Sequence, residues 1–137
     1  MTDDLQARKK AIREKAHAAR NAQPDKDELS RAICAQAAAL PAYRAARTVL
    51  YYVDVRSEVR TRHSFADALA SGKRIVVPYC VNNELELFLL EDVGELAVGM
   101  YKILEPRPEL RDVPAKKLAV SELDLIMVPG VAFDRNG

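Results

Sequence analysis

A cluster of lysines and arginines near the N-terminus falls on one predicted helix, residues 5–21, which follows capping side chains at residues 2–4. At 100° per residue, Lys9, Arg13 and Arg20 lie almost on one line of this helix. An apolar stripe lies beside that line: Leu5, Ile12, Ala16 and Ala19. A lysine and an arginine one turn apart can contact the oxygens of one polyphosphate. The alternative is a solvated helix face whose aliphatic stems cover apolar surface.

Glu58 is the acidic residue whose position is most suggestive of ligand binding. It follows the first predicted strand in the segment YYVDVRSEVRT. A carboxylate there can accept hydrogen bonds from an amino-substituted heterocycle, with Tyr52, Val53 and Val55 as an apolar wall. The alternative is an acid at the entrance of the helix that Thr61 is expected to cap.

Two further segments contribute weaker signals. Pro78-Tyr79 ends the second predicted strand and is compatible with a ring-stacking wall or with an ordinary strand end. Residues 102–106, which include Glu105, form a short extended piece that enters a turn. Neither His17 nor His63 has a serine, cysteine or acidic residue at the spacing of a known catalytic or zinc-binding motif. This argues against a catalytic triad or a zinc site.

An alternation of strands and helices positions these residues. Strands are predicted at residues 48–53, 74–78, 84–89 and 124–128, the third with Leu85, Leu87 and Leu89 on its apolar face. Further helices are predicted from residue 24 to Pro41 and from Thr61 to Ser71-Gly72.

This order predicts an α/β fold in a single domain, residues 1–137. We expect a three-layer open sheet, mostly parallel, with helices on both faces. Ligands bind such sheets outside the carboxyl ends of the strands. Both Glu58 and the Pro129-Gly130 loop follow strands at that edge.

Composition argues against several classes of protein. The 137 residues are 49% apolar and 30% charged, as in a soluble globular domain. A net charge of +1 provides no field to attract nucleic acid, and no apolar run reaches membrane-spanning length. Cys34 and Cys80 share no metal-binding or disulfide spacing. We expect a cytoplasmic monomer with a small-molecule substrate and no nucleic-acid or membrane partner.

Several motifs together resemble the 5-formyltetrahydrofolate cyclo-ligase family, also called methenyltetrahydrofolate synthetase. They are KKAIR, YYVDVRSEVRT, KRIVVPYC, YKILEP and DLIMVPGVAFDRNG, in the family's order and over nearly the whole chain. The resemblance implies a ligase that uses ATP and Mg²⁺ to cyclise 5-formyltetrahydrofolate to 5,10-methenyltetrahydrofolate, releasing ADP and phosphate. Such chemistry needs positioning and charge neutralisation more than a side-chain nucleophile.

The resemblance also implies roles for individual residues. Lys9, Lys10 and Arg13 would bind ATP, with Arg13 also near the reacting group as the catalytic residue. The implied substrate-binding residues are Val53, Glu58, Pro78, Tyr79 and Glu105. No metal ligand is assigned.

One departure from the family pattern concerns its glycine-rich segment. In the family FDRNG continues into a stretch of the form RLGxGxGYYD, whose backbone N–H groups cradle phosphates. The sequence here ends at Gly137, so it is expected to be C-terminally truncated relative to the family, with impaired turnover. The alternative function is a non-catalytic folate-binding or regulatory module.

Overall fold

A four-stranded sheet forms the centre of the molecule in the computed structural model, which describes residues 2–137 apart from the side chain of Met100. The strands of this sheet are β1 (Thr48–Leu50), β2 (Arg74–Val81), β3 (Glu84–Leu90) and β6 (Leu125–Ile126). Their order is β3-β2-β1-β6. Strand β1 runs parallel to both β2 and β6, while β3 is antiparallel to β2. The predicted α/β class with a mostly parallel sheet is confirmed.

Four α-helices, six short 3-10 helices and a small hairpin complete the described fold. The α-helices are α1 (Thr2–Ala22), α2 (Lys26–Ala39), α3 (Pro41–Ala45) and α4 (Phe65–Ala70). Pro41 separates α2 from α3, as expected of a residue that lacks a backbone N–H. Strands β4 (Leu96–Val98) and β5 (Leu104–Pro106) pair as a separate antiparallel hairpin.

The main core covers one face of the sheet. Because side chains alternate along a strand, Ile75 and Val77 of β2 share a face with Val49 of β1. Phe65 of α4 is fully buried there, and its ring lies edge-on to Tyr51 at 5.7 Å between centroids. On the opposite face, Ile126 is 49% exposed. Helices α3 and α4 therefore pack on the more deeply buried face.

Strand β3 exposes the face that its sequence pattern predicts to be buried. Phe88 and Leu90 are buried, whereas Leu85 is 69% exposed. The hairpin register decides this, since Phe88 pairs with Val77 and Leu90 with Ile75, both on the core face. Only Leu87 and Leu89, half-buried, keep partial contact on the other face. The predicted apolar face of β3 is therefore wrong.

Asp124 sets the position of the last strand beside the first. Its carboxylate accepts hydrogen bonds from the backbone N–H groups of Arg47 and Thr48 at 2.9 and 3.0 Å. These bonds lower the pKa of Asp124. The Asp124 N–H donates in turn to the Thr48 carbonyl at 2.9 Å. Asp124 thereby aligns β6 so that its loop leaves the sheet beside the loop that follows β1.

Glu95 makes the β4–β5 region sensitive to acid. Burial by itself would raise the pKa of Glu95, but the Lys116 ammonium and the N–H groups of Glu91 and Asp92 outweigh it and lower this pKa. A carboxyl whose pKa is lowered by folding stabilises the folded state above its unfolded-state pKa. That stabilisation is lost as the pH falls through the lowered, folded-state pKa.

We therefore expect the Glu95→Gln variant to be less stable than wild type at about pH 6, with the difference shrinking towards about pH 3. Urea unfolding at several pH values measures it. Glu109→Gln, at an exposed position, is the control. It should show the same dependence of the unfolding free energy on pH as wild type. A difference that is constant with pH would contradict the assignment.

Candidate functional site

The loops that follow β1 and β6 meet at the carboxyl edge of the sheet. We call residues 51–61 the Glu58 loop and residues 127–131 the β6 loop. A cavity of about 390 Å³ lies between them, lined by Tyr52 and Glu58 from the first loop and by Met127 and Pro129 from the second. Two parallel strands deliver both loops to the same edge, which is where open α/β sheets bind ligands.

Glu58 is half-buried at the junction of three cavities, which measure about 240, 390 and 140 Å³. Its Oε2 accepts a hydrogen bond from the Val55 N–H at 3.1 Å, and its own N–H donates to the Val55 carbonyl at 3.1 Å. Within the described chain, Oε1 has no hydrogen-bond partner. Glu58 thus closes its own turn with one oxygen and leaves the other without a protein partner among the described residues.

The ends of the Glu58 loop are joined by a buried carboxylate. Asp54 is 2% exposed, and both of its oxygens accept from Arg62 Nε, at 3.2 and 3.1 Å. Arg62 Nη2 also donates to the Asp54 carbonyl at 3.0 Å. These bonds hold the loop in a closed Ω-like path with Glu58 at its outer turn.

Thr61 occupies the N-cap position of the following helical segment, as predicted, but its side chain makes no capping hydrogen bond. Its hydroxyl donates instead to the Tyr52 carbonyl at 2.6 Å, across the base of the Glu58 loop. The Tyr52 hydroxyl donates to the Val59 carbonyl at 2.8 Å, and burial raises the pKa of Tyr52 to about 12. Tyr52 is therefore a neutral hydrogen-bond donor inside the loop.

The cation that helix α1 places at these cavities is Arg20. It lines all three, whereas Lys9, Lys10 and Arg13 line none of the three and are exposed to solvent. Arg13 precedes Arg20 by seven residues, a rise of about 10 Å along the helix. The structure therefore brings Glu58 together with the last turn of α1, and not with the lysine–arginine pair.

A second cluster, near the end of β2, contains two of the predicted substrate residues. Tyr79 is 7% exposed, and the Arg111 guanidinium lies 5.0 Å from the centroid of its ring. Arg111 Nη2 also donates to Glu105 Oε2 at 3.1 Å. Arg111, which the sequence did not single out, thus connects Tyr79 with Glu105 and covers one face of the tyrosine ring.

The two remaining predicted substrate residues lie near this edge. Val53, in the Glu58 loop, is half-buried and packs against the core. Pro78 is half-buried in β2, where it pairs with Leu87. Val53 lines none of the three Glu58 cavities, and Pro78 lies within the strand that contains Tyr79.

A larger cavity, of about 660 Å³, lies elsewhere, between helices α2, α3 and α4. The Lys73 ammonium at its rim already bonds the Arg44 and Ala46 carbonyls. At its floor, the Tyr43 and Tyr51 hydroxyls bond each other at 2.7 Å. Neither Glu58 nor the β6 loop lines this cavity, so the Glu58 cavities, at the carboxyl edge of the sheet, are the better candidate for a ligand site.

The described residues, 2–137, contain neither a metal-binding cluster nor a membrane-spanning helix. No group of three or more histidine, cysteine, aspartate or glutamate side chains there could hold a metal ion. The helices in that range are all too short or too polar to cross a membrane.

A family model describing the 5-formyltetrahydrofolate cyclo-ligase family matches residues 5–137. The chain belongs to this family. The match includes α1, the Glu58 loop and the β6 loop, so it covers every element of the candidate site.

Curated relatives agree with this family. A probable 5-formyltetrahydrofolate cyclo-ligase of Schizosaccharomyces pombe is 32% identical over 111 residues, which are 79% of this chain and 53% of that protein. The 5-formyltetrahydrofolate cyclo-ligase of Escherichia coli K12 is 32% identical over 96 residues, or 67% of this chain and 50% of that protein. The chain therefore spans about half the length of these relatives.

A solved structure confirms the fold. The NMR structure of Aquifex aeolicus 5,10-methenyltetrahydrofolate synthetase superimposes with a TM-score of 0.76 and 27% identity. The match covers 92% of this chain and 62% of the Aquifex protein. The resemblance drawn from the five motifs is confirmed, and the cyclo-ligase family is a family of enzymes.

Proposed function

We propose that this chain carries the folate-binding half of an ATP-dependent cyclo-ligase that converts 5-formyltetrahydrofolate to 5,10-methenyltetrahydrofolate, with release of ADP and phosphate. One observation supports the proposal: Glu58 is half-buried beside a cavity at the carboxyl edge of the sheet, and one of its carboxylate oxygens has no partner in the described chain. The chain belongs to the cyclo-ligase family. A carboxylate in that position suits the amino edge of a pterin.

The substrate roles proposed for the other residues follow from their surroundings. Val53 would add apolar surface beside the Glu58 loop, a role that comes from the family resemblance, and Tyr79 with Glu105 forms the second cluster at the end of β2. Lys9, Lys10 and Arg13 would bind the ATP phosphates from their exposed positions on α1, and Arg13 would also act near the reacting group. We further propose that the protein works as a cytoplasmic monomer.

The proposed reaction needs no side-chain nucleophile. Transfer of the γ-phosphoryl group to the formyl oxygen gives an imidoyl phosphate, and the folate N10 then attacks that carbon. That attack closes the ring, N10 gives up its proton, and phosphate then leaves with the former formyl oxygen to give the methenyl product. Mg²⁺ prefers phosphate oxygens, water and one or two carboxylates. The described residues therefore fit a metal that arrives with the nucleotide better than a site built from protein ligands.

An absorbance assay tests the activity. With ATP, Mg²⁺ and 5-formyltetrahydrofolate, the 137-residue polypeptide should form the methenyl product slowly or not at all. The same chain extended by the family's glycine-rich segment should be faster by about two orders of magnitude or more, because that segment supplies backbone N–H groups to the phosphates. An extension that leaves the rate unchanged would contradict the proposal.

A non-catalytic folate-binding or regulatory module is the second candidate. It is favoured by one observation: the Glu58 cavities are assembled, yet Lys9, Lys10 and Arg13 do not line them. Binding of 5-formyltetrahydrofolate without ATP, combined with no turnover by the extended chain, would support this function over the ligase.

A further inference from the structure

Arg20 connects three separate segments of the chain. Its Nε and Nη2 donate to Ser57 Oγ at 3.2 and 3.1 Å, and its Nη1 donates to the Gly130 carbonyl at 3.1 Å. Ser57 is 9% exposed and directly precedes Glu58. One guanidinium on α1 therefore bonds both the Glu58 loop and the β6 loop.

Apolar packing does little to place α1. None of the described side chains of this helix is buried, and Ile12 is 56% exposed. Burial of apolar surface is the usual source of a helix's tertiary stability. With little of it available, hydrogen bonds at the last turn must set the orientation of α1.

We propose that Arg20 is a positioning residue that fixes α1, the Glu58 loop and the β6 loop relative to one another. The importance of this role for ligand binding rests on the proposed function, since substrate and nucleotide roles are assigned to these segments. The bonds themselves do not depend on it. Arg20 acts on the ligand site through Ser57 and Gly130, to which it is bonded.

The chemistry of the side chain explains why arginine occupies this position. Its planar guanidinium presents several N–H donors in a fixed fork, so it can bond Ser57 Oγ and the Gly130 carbonyl simultaneously. A lysine ammonium is a compact charge on a flexible stem and is not preorganised to span both acceptors. Arg20→Lys therefore separates the effect of geometry from that of charge.

Hydrogen exchange tests the positioning role without any ligand. The Val55 and Glu58 amides report on the Glu58 loop because they bond Glu58 Oε2 and the Val55 carbonyl, and not Arg20 itself. In Arg20→Ala, and nearly as much in Arg20→Lys, exchange at these amides should accelerate about tenfold. Lys15→Ala, an exposed cation on the same helix, should leave exchange within about twofold of wild type.

A second variant keeps the test decisive if Arg20→Ala fails to fold. Ser57→Ala removes one acceptor and retains the cation, and it should also accelerate exchange at Val55 and Glu58. If Arg20→Ala folds, unchanged exchange in that variant would overturn the proposal. If it does not fold, unchanged exchange in both Ser57→Ala and Arg20→Lys would overturn it.

Titration with 5-formyltetrahydrofolate then tests the effect on the site. Arg20→Ala and Arg20→Lys should each bind 5-formyltetrahydrofolate about tenfold more weakly than wild type. This should hold even for a variant whose melting temperature equals that of Lys15→Ala. A purely structural tether would alter the melting temperature and leave the affinity of the folded protein unchanged, which would overturn the positioning role. If wild type binds no folate, the proposed function fails, and the exchange measurement still decides whether Arg20 fixes the loops.

Discussion

Replacing Glu58 with glutamine should weaken binding of 5-formyltetrahydrofolate by about 1–3 kcal/mol, or about five- to 150-fold in Kd. The substitution keeps a carbonyl oxygen that can still accept from the Val55 N–H, so the turn is retained. It removes the negative charge and replaces one acceptor with an NH₂ group, which meets the pterin's amino edge as donor against donor. Calorimetric titration of the folate measures the loss.

Two further variants separate binding from loop structure. Glu58→Ala removes both the ligand oxygen and the acceptor for Val55, so it should lose at least as much affinity as Glu58→Gln and also loosen the turn. Glu84→Gln changes an exposed acid at the start of β3 and should leave the affinity unchanged. Equal affinities for wild type and Glu58→Gln would remove Glu58 from the site.

Local signals in the sequence were sufficient to predict several turns and helix ends of the fold. Gly72 ends α4 with a φ of +83°, in the left-handed region that glycine adopts without steric cost. Asn82 and Asn83 have φ values of 52° and 64°, which is the geometry of a two-residue hairpin turn between β2 and β3. Such conformations depend on one or two residues, so a single sequence reveals them.

The contacts that assemble the site depend on residues far apart in the chain. Arg20 lies 37 positions from Ser57 and 110 from Gly130. Its place on one line with Lys9 and Arg13 was predictable from helical spacing, but spacing along a helix cannot reveal which of its cations reaches the sheet. The buried face of β3 was missed for a related reason, because the register of its pairing with β2 decides it.

The role of Asp54 was missed although its partner is close in sequence. Asp54 and Arg62 are eight positions apart, on either side of the outer turn of the Glu58 loop. An acid and an arginine in a polar loop usually form a solvated pair, and nothing in the residue types shows that the loop path will bury this carboxylate to 2% exposure. Burial of the Asp54 carboxylate raises the free-energy cost of leaving it without a cation.

Arg62→Ala should destabilise the protein by about 3 kcal/mol in urea unfolding, because it leaves the buried Asp54 carboxylate without its cation. In this pair the Asp54 side chain is 3% exposed, whereas the Arg62 side chain is 39% exposed, so the cost comes from the buried carboxylate. The Arg62 backbone N–H still donates to Asp54 Oδ1 at 3.2 Å after the substitution, so the loss should fall at the lower end for a broken buried pair.

An ion pair in the same loop provides the matched control. Arg60 pairs with Asp27, but their side chains are 33% and 50% exposed, so Arg60→Ala should cost less than about 1 kcal/mol. Asp54→Asn in the Arg62→Ala background removes the unpaired charge and should recover part of the lost stability, which a double-mutant cycle measures. If Arg62→Ala and Arg60→Ala cost the same, the Asp54 carboxylate is solvated in solution, and it cannot be the group that holds the Glu58 loop closed.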